Sequence, residues 1–184
     1  YDYRFTNGDF VYSTSYPHID ASGNLIISGY KSGTNATFVA QINTSTGSVI
    51  SSYDISNIGD GYPTTVVSDA SGNYYFCGGY GPGPNYPCVV KFNSSFSFQW
   101  GKYLSLSAYR SWAGGIALDA TGSNLYIGNI YDASGGSTSG GAAIAKIDTS
   151  GTLIWTRGIK YNVAGYGTRP GTMRAIYFAS PYWY

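Results

Sequence analysis

Apolar residues in this chain come in short runs, each closed within a few positions by Gly, Asn, Asp or Ser. Three stretches make the pattern explicit: "HIDASGNLIISGY" from His18, "VVSDASGNYYFCGGY" from Val66 and "IALDATGSNLYIGNIY" from Ile116. In each, a β-prone run ends in Asp, a Gly/Asn turn follows, and a second β-prone run begins. Spacing of about fifty residues is the mark of a tandem repeat architecture. The first runs read as strands over 13–20, 62–69 and 112–119, and the second over 24–30, 73–80 and 124–131. Third runs follow a looser connection ("TFVAQIN" from Thr37, "CVVKFN" from Cys88, "AIAKID" from Ala143). Fourth runs follow another tight turn ("SVISSYDI" from Ser48, "FSFQWGKYL" from Phe96, "TLIWTRGIKY" from Thr152). No segment sustains a helical period over ten or so residues.

Each repeat therefore predicts four short strands separated by turn signals. A four-stranded unit with two apolar faces needs a neighbour on each, which is the logic of a β-propeller blade. The expectation is an all-β propeller of four-stranded antiparallel blades, with first strands starting near 13, 62, 112 and 173. Small residues in "AGGIAL" and "TTVVS" suit an innermost first strand. The whole chain, 1–184, reads as one propeller domain or a slice of a longer propeller. "YDYRF" at the start resembles a lone fourth strand, and "MRAIYF" (173–178) with "YWY" resembles the opening of a further blade. An opening on Tyr1, without Met, suggests a processed or excised piece.

Asp20, Asp69 and Asp119 read as turn residues, because Asp accepts backbone hydrogen bonds there and Gly supplies positive φ. Asn43, Asn93 and Asp148 read the same way at the second turn. The recurring long polar residue of the third strand (Gln41, Lys91, Lys146) reads as a solvated side chain leaving the blade near its edge.

The repeat resembles the bacterial β-propeller repeat called SBBP. The likeness lies in "FVAQINTSTG", "VVKFNSSFSFQW" and "AIAKIDTSGTLIW", and it spans most of the chain. The first repeat departs from it, since Ile50 or Ser51 falls where Trp100 and Trp155 stand. What the resemblance implies is a fold and a location: such repeats occur in secreted and surface proteins and in virion fibre proteins of marine phages.

Composition narrows the function classes. Only 10% of residues are charged, against about a quarter in an ordinary soluble domain. A formal net charge of +1 gives no electrostatic reason to expect nucleic acid or an anionic membrane. No apolar run is long enough to predict membrane insertion by a helix. Glutamate is absent, and all nine acids are aspartates. General acid/base work on sugars needs two facing carboxylates, and the turn reading leaves Asp2, Asp9, Asp54, Asp60 and Asp132 for it. His18 is the sole histidine and reads as structural. No metal or cofactor is expected: the His/Cys clusters of metal sites are missing. "DISNIGDG" (54–61) lacks the spacing of a calcium loop, and "DASGGSTSGG" (132–141) lacks the Lys of a phosphate loop. Cys77 and Cys88, on the second and third strands of one repeat, form a candidate cross-strand disulfide with two buried thiols as the alternative.

The connections differ in kind. First-to-second and third-to-fourth turns are short and stereotyped, whereas the other two classes of connection are long, irregular and rich in Tyr. In an antiparallel meander these long loops share one face of the disc, the usual place for binding residues. The candidate ligand- or partner-binding residues are Tyr53, Tyr62, Tyr103, Tyr109, Arg110, Trp112, Tyr161, Tyr166 and Arg169. The resulting expectation is a non-enzymatic structural or attachment module, extracellular or on a virion surface, that binds a surface glycan or a neighbouring subunit of a larger assembly. The alternatives are a secreted carbohydrate-active propeller enzyme and a pure spacer.

Overall fold

The computed structural model describes residues 11–13, 16–31, 37–55, 61–80, 86–104, 111–132 and 140–159. These form three antiparallel sheets in chain order. The first holds β1 (Val11–Ser13), β2 (His18–Ile19), β3 (Leu25–Lys31), β4 (Thr37–Ile42) and β5 (Val49–Asp54). The second holds β6 (Gly61–Ser68), β7 (Tyr74–Tyr80), β8 (Tyr86–Phe92) and β9 (Phe98–Tyr103). The third holds β10 (Ser111–Leu118), β11 (Asn124–Asp132), β12 (Gly140–Asp148) and β13 (Leu153–Ile159). β1 and β2 are two pieces of one edge strand. Both pair with β3, at Val11↔Lys31 and at His18↔Ile26. Each sheet is thus a four-position meander, and the second and third first strands start within one residue of expectation.

Irregularities recur as faithfully as strands. The first-strand register shifts between Pro63 and Thr65 in the second sheet and between Ala113 and Gly115 in the third. The pairing of third and fourth strands shifts at Gln41/Ile42, Lys91/Phe92 and Lys146/Ile147. The extra residue there is Ile50, Gln99 or Ile154, and Ser51 is therefore the counterpart of Trp100 and Trp155. A bulge raises local twist, so the same bulge in every sheet gives each the same shape for its neighbour.

Alternation along the second sheet divides its side chains between two cores. Tyr74, Phe76, Cys88, Val90 and Phe92 pack with Ile26, Val39 and Ile55 of the first sheet. Tyr75, Cys77 and Val89 pack with Ile116, Leu125, Ile127, Ala145 and Ile147 of the third. The first strands converge: β6 packs on β3 and β4, and β10 packs on β6, β7 and β8. That is the arrangement expected of an inner strand, with Ala113 fully buried at the crowded end.

Cys77 and Cys88 correct the disulfide expectation. Cys77 pairs with Val89, while Cys88 pairs with Gly78. An offset of one residue sends the two thiols to opposite faces of the sheet, one into each core. Both are buried and no bond joins them. Burial pushes the Cys88 thiol well above its ordinary value.

Candidate functional site

One end of the sheets is built from Asx turns. Asp20 Oδ1 accepts the Ser22 and Asn24 amides at 2.8 Å each, and Asp69 Oδ1 accepts those of Ser71 and Asn73 at 2.9 Å. Asp119 Oδ1 accepts the Ser123 amide at 3.1 Å and the Thr121 hydroxyl at 2.7 Å. Gly23, Gly72 and Gly122 close these turns at φ of 78°, 77° and 68°, which an L side chain rarely adopts. The third-to-fourth turns repeat the device with Asn43, Asn93 and Asp148 accepting amides two to four residues on. Burial alone would raise Asp119, but hydrogen bonds from Asn124, Thr121 and Ser123 hold it at about 2. Asp20 and Asp69 are held low on the same balance. Asp148 is also low, chiefly through Ser150 and Thr152. Carboxylates held ionised by their own turns are poor proton donors, and the turn reading of all four stands.

Asp20 does more than close a turn. Its Oδ2 accepts the Tyr74 hydroxyl at 2.9 Å from the second sheet and Gln41 Nε2 at 3.0 Å. Gln41 Nε2 also reaches the Tyr74 oxygen at 3.2 Å. In the second sheet Lys91 Nζ lies 5.2 Å from the centroid of the Tyr75 ring and donates to the Thr149 carbonyl of the third at 3.2 Å. The expectation of edge-leaving, solvated side chains is therefore corrected for Gln41 and Lys91: both bridge sheets. His18 bridges as well, with Nε2 2.8 Å from Ser68 Oγ. Burial lowers its pKa against the pull of Asp20.

The other end of the sheets carries the described candidate binding residues. Strand pairing sets Tyr12 opposite Tyr30, Tyr80 opposite Tyr86, and Ser111 opposite Tyr131 at that end. Tyr62 and Trp112 occupy strand positions there, opposite Gly79 and Ile130. Tyr103 ends β9 with 47% of its surface exposed, and burial of its remainder, followed by the nearby Cys88 thiol, raises its pKa. Tyr53 is different. Its ring stacks on Phe98 at 6.0 Å and meets Phe92 edge-on at 5.3 Å, which makes it part of the first core. Tyr109, Arg110, Tyr161, Tyr166 and Arg169 lie outside the described residues, as do the long connections at 32–36, 56–60, 81–85, 105–110 and 133–139.

No family model matches the chain, and no curated protein matches it. A solved GH43 β-1,3-galactosidase, a β-propeller determined with galactodeoxynojirimycin, is similar in structure at a TM-score of 0.53 and 11% identity. The match covers 79% of this chain and 45% of the galactosidase, so the chain spans under half of that neighbour's length. At this identity the likeness carries the fold: three four-stranded sheets stacked as in a propeller. Among the described residues no group of three or more His, Cys, Asp or Glu is placed to hold a metal ion. No described helix is long and apolar enough to cross a membrane.

Sequence reasoning missed two features. Phe96 sits at φ 57° in a turn where Gly47 and Gly151 serve the neighbouring sheets, and its ring is buried among Tyr74, Phe76 and Phe92. The inter-sheet bridges of Asp20 and Lys91 were also missed. Their only signal was the recurrence of a polar residue where strand alternation calls for an inward one.

Proposed function

We propose that this chain is a propeller-type binding module, working at an extracellular or virion surface, whose long-loop end engages a surface glycan without chemistry of its own. One observation carries the reading: the two ends of the sheets differ, one closed by self-satisfied Asx turns whose neighbouring rings (Tyr74, Tyr75, Phe96) are buried between sheets, the other bearing the long connections, with Tyr or Trp on strands that enter them. Aromatic rings contribute large contact area at low entropic cost and stack on sugar faces. A rigid stack of sheets holds such residues in place while its loops vary.

The runner-up, a carbohydrate-active propeller enzyme, is favoured by the galactosidase neighbour. Any acids this chain supplied to such a site would come from Asp2, Asp9, Asp54, Asp60 or Asp132, since Asp20, Asp69, Asp119 and Asp148 are committed to turns.

The test is a triple substitution, Tyr109→Ala, Arg110→Ala and Trp112→Ala, read on a glycan array and on cell attachment. Loss of a hot-spot cluster should weaken binding by about 2 kcal/mol or more, with an unchanged circular dichroism spectrum. In parallel, Asp54→Asn, Asp60→Asn and Asp132→Asn should leave binding intact. Glycan cleavage by the parent chain that disappears in the Asp variants would establish the enzyme instead.

A further inference from the structure

The third sheet presents a face whose counterparts in the first two sheets are both buried. Val39 and Val89 have no exposed surface, whereas Ile144 at the same strand position is only part-buried. Ile26 and Tyr75 are likewise fully buried, and Tyr126 in their place is part-buried. Lys146 lies over the Tyr126 ring at 5.3 Å, as Lys91 lies over Tyr75 at 5.2 Å. Trp155 meets Tyr126 edge-on at 5.9 Å, where Trp100 and Tyr75 are 6.3 Å apart. This face is a copy of a seam, complete down to the cation over its ring, and no described sheet packs on it.

We infer that the Tyr126–Lys146–Trp155 face is an inter-sheet seam for the next sheet of this chain, whose first strand is the segment 173–178. The rule of occupancy comes from the two seams already formed. In each, the first strand of the following sheet lies across the second and third strands of the preceding one: β6 on β3 and β4, β10 on β7 and β8. That strand also follows the preceding fourth strand directly in the chain. After β13, the next run with first-strand character is "MRAIYF", residues 173–178, outside the described residues. The same ring-and-cation chemistry would suit a sugar, but Tyr75, Lys91 and Trp100 show what this repeat does with it. They bury it against a neighbour.

Lysine acylation in the full chain tests the assignment with internal standards. Lys91 lies in a formed seam and Lys102 is exposed. Lys146 should react at least about tenfold more slowly than Lys102, because modification would require local opening. The variant Ile176→Asp should bring Lys146 up to the rate of Lys102 while Lys91 stays slow. A photo-reactive cross-linker carried on Lys146 of the unmutated chain should capture the 173–178 peptide, which keeps the test independent of how the variant folds. Labelling of Lys146 as fast as Lys102 would overturn the assignment. So would protection that rises with protein concentration (a second copy), protection that requires added oligosaccharide (a ligand face), or capture of any other peptide.

Discussion

Between the first and second sheets the packing is aromatic, whereas between the second and third it is mostly aliphatic. Phe92 alone meets Tyr53, Phe76, Phe96 and Phe98, with ring centroids 5.3 to 5.9 Å apart. Its counterpart in the third sheet is Ile147, set among Leu125, Ile127 and Ala145. The polar bridges differ too: a carboxylate, an amide and a phenol in one seam, an ammonium on a backbone carbonyl in the other. Equivalent positions keep their role while the side-chain chemistry changes. What the repeat preserves is the shape imposed by strand register and bulges, and each seam is then filled with whatever volume and hydrogen bonding closes it.

The largest expected effect separates the two fillings. Phe92→Ala should cost about 4 kcal/mol and Ile147→Ala about 3 kcal/mol, in line with ring and branched-aliphatic truncations that leave cavities. Urea denaturation of both variants measures this. A loss at Ile147 equal to or above that at Phe92 would mean that the aromatic cluster adds nothing beyond its area.

A smaller effect isolates the polar bridge. Tyr74→Phe keeps the ring and removes the hydroxyl that Asp20 accepts. It should cost about 1–2 kcal/mol, as expected when a charged acceptor loses one of its donors. The third sheet has Leu125 at that position, so the second seam offers no equivalent. The sign of the pH dependence follows from the lowered Asp20 pKa. A depressed carboxylate contributes stability that is fully present above its unfolded value, about 4, and is lost as pH falls through its folded value. Acid titration of stability should therefore be steeper for the parent chain than for Tyr74→Phe below about pH 4. Parallel curves would show that the Tyr74 hydroxyl does not help hold Asp20 ionised.

Much of this architecture was legible in the amino-acid pattern. Asp–x–x–Gly turns at a regular period fix where strands start and stop, and the second and third sheets follow them closely. Pairing register was not legible, and the cysteines show why. Two residues on adjacent strands read as neighbours, yet a single-residue offset put Cys77 and Cys88 in different cores. Gln41 and Lys91 look like surface residues by type, and only the presence of a following sheet turns them inward. The candidate binding end was legible as a class of connection. Of the individual residues chosen for it, Tyr103 is exposed at the proposed end and Tyr53 belongs to the core. No one-residue property distinguishes a tyrosine that packs in a core from one that stays exposed.

The smallest effect compares two turns that look alike in sequence. Gly122 and Gly151 both close Asx turns of the third sheet, at φ of 68° and 87°. A Cβ on Gly122 would meet nothing within 4 Å, whereas one on Gly151 would come to 3.0 Å from Lys102 Cγ and 3.3 Å from Trp100 Cζ3. The first turn is free at the surface, and the second is pressed against the fourth strand of the preceding sheet. Gly122→Ala should cost about 1 kcal/mol, the penalty for a side chain in the left-handed region. Gly151→Ala pays the same backbone penalty and must also displace its neighbours, an overpacking cost of about another 1 kcal/mol. The Lys102 stem is flexible and yields part of that space, while the Trp100 ring, packed on Tyr75, yields less. Phe96 stands at the equivalent turn of the second sheet at φ 57°, which shows that a side chain is tolerated there when its ring fills a seam. Thermal denaturation of the two glycine variants decides the matter. Equal shifts would mean that the Gly151 turn does not press on β9, and the second seam would then end at the Lys91 bridge.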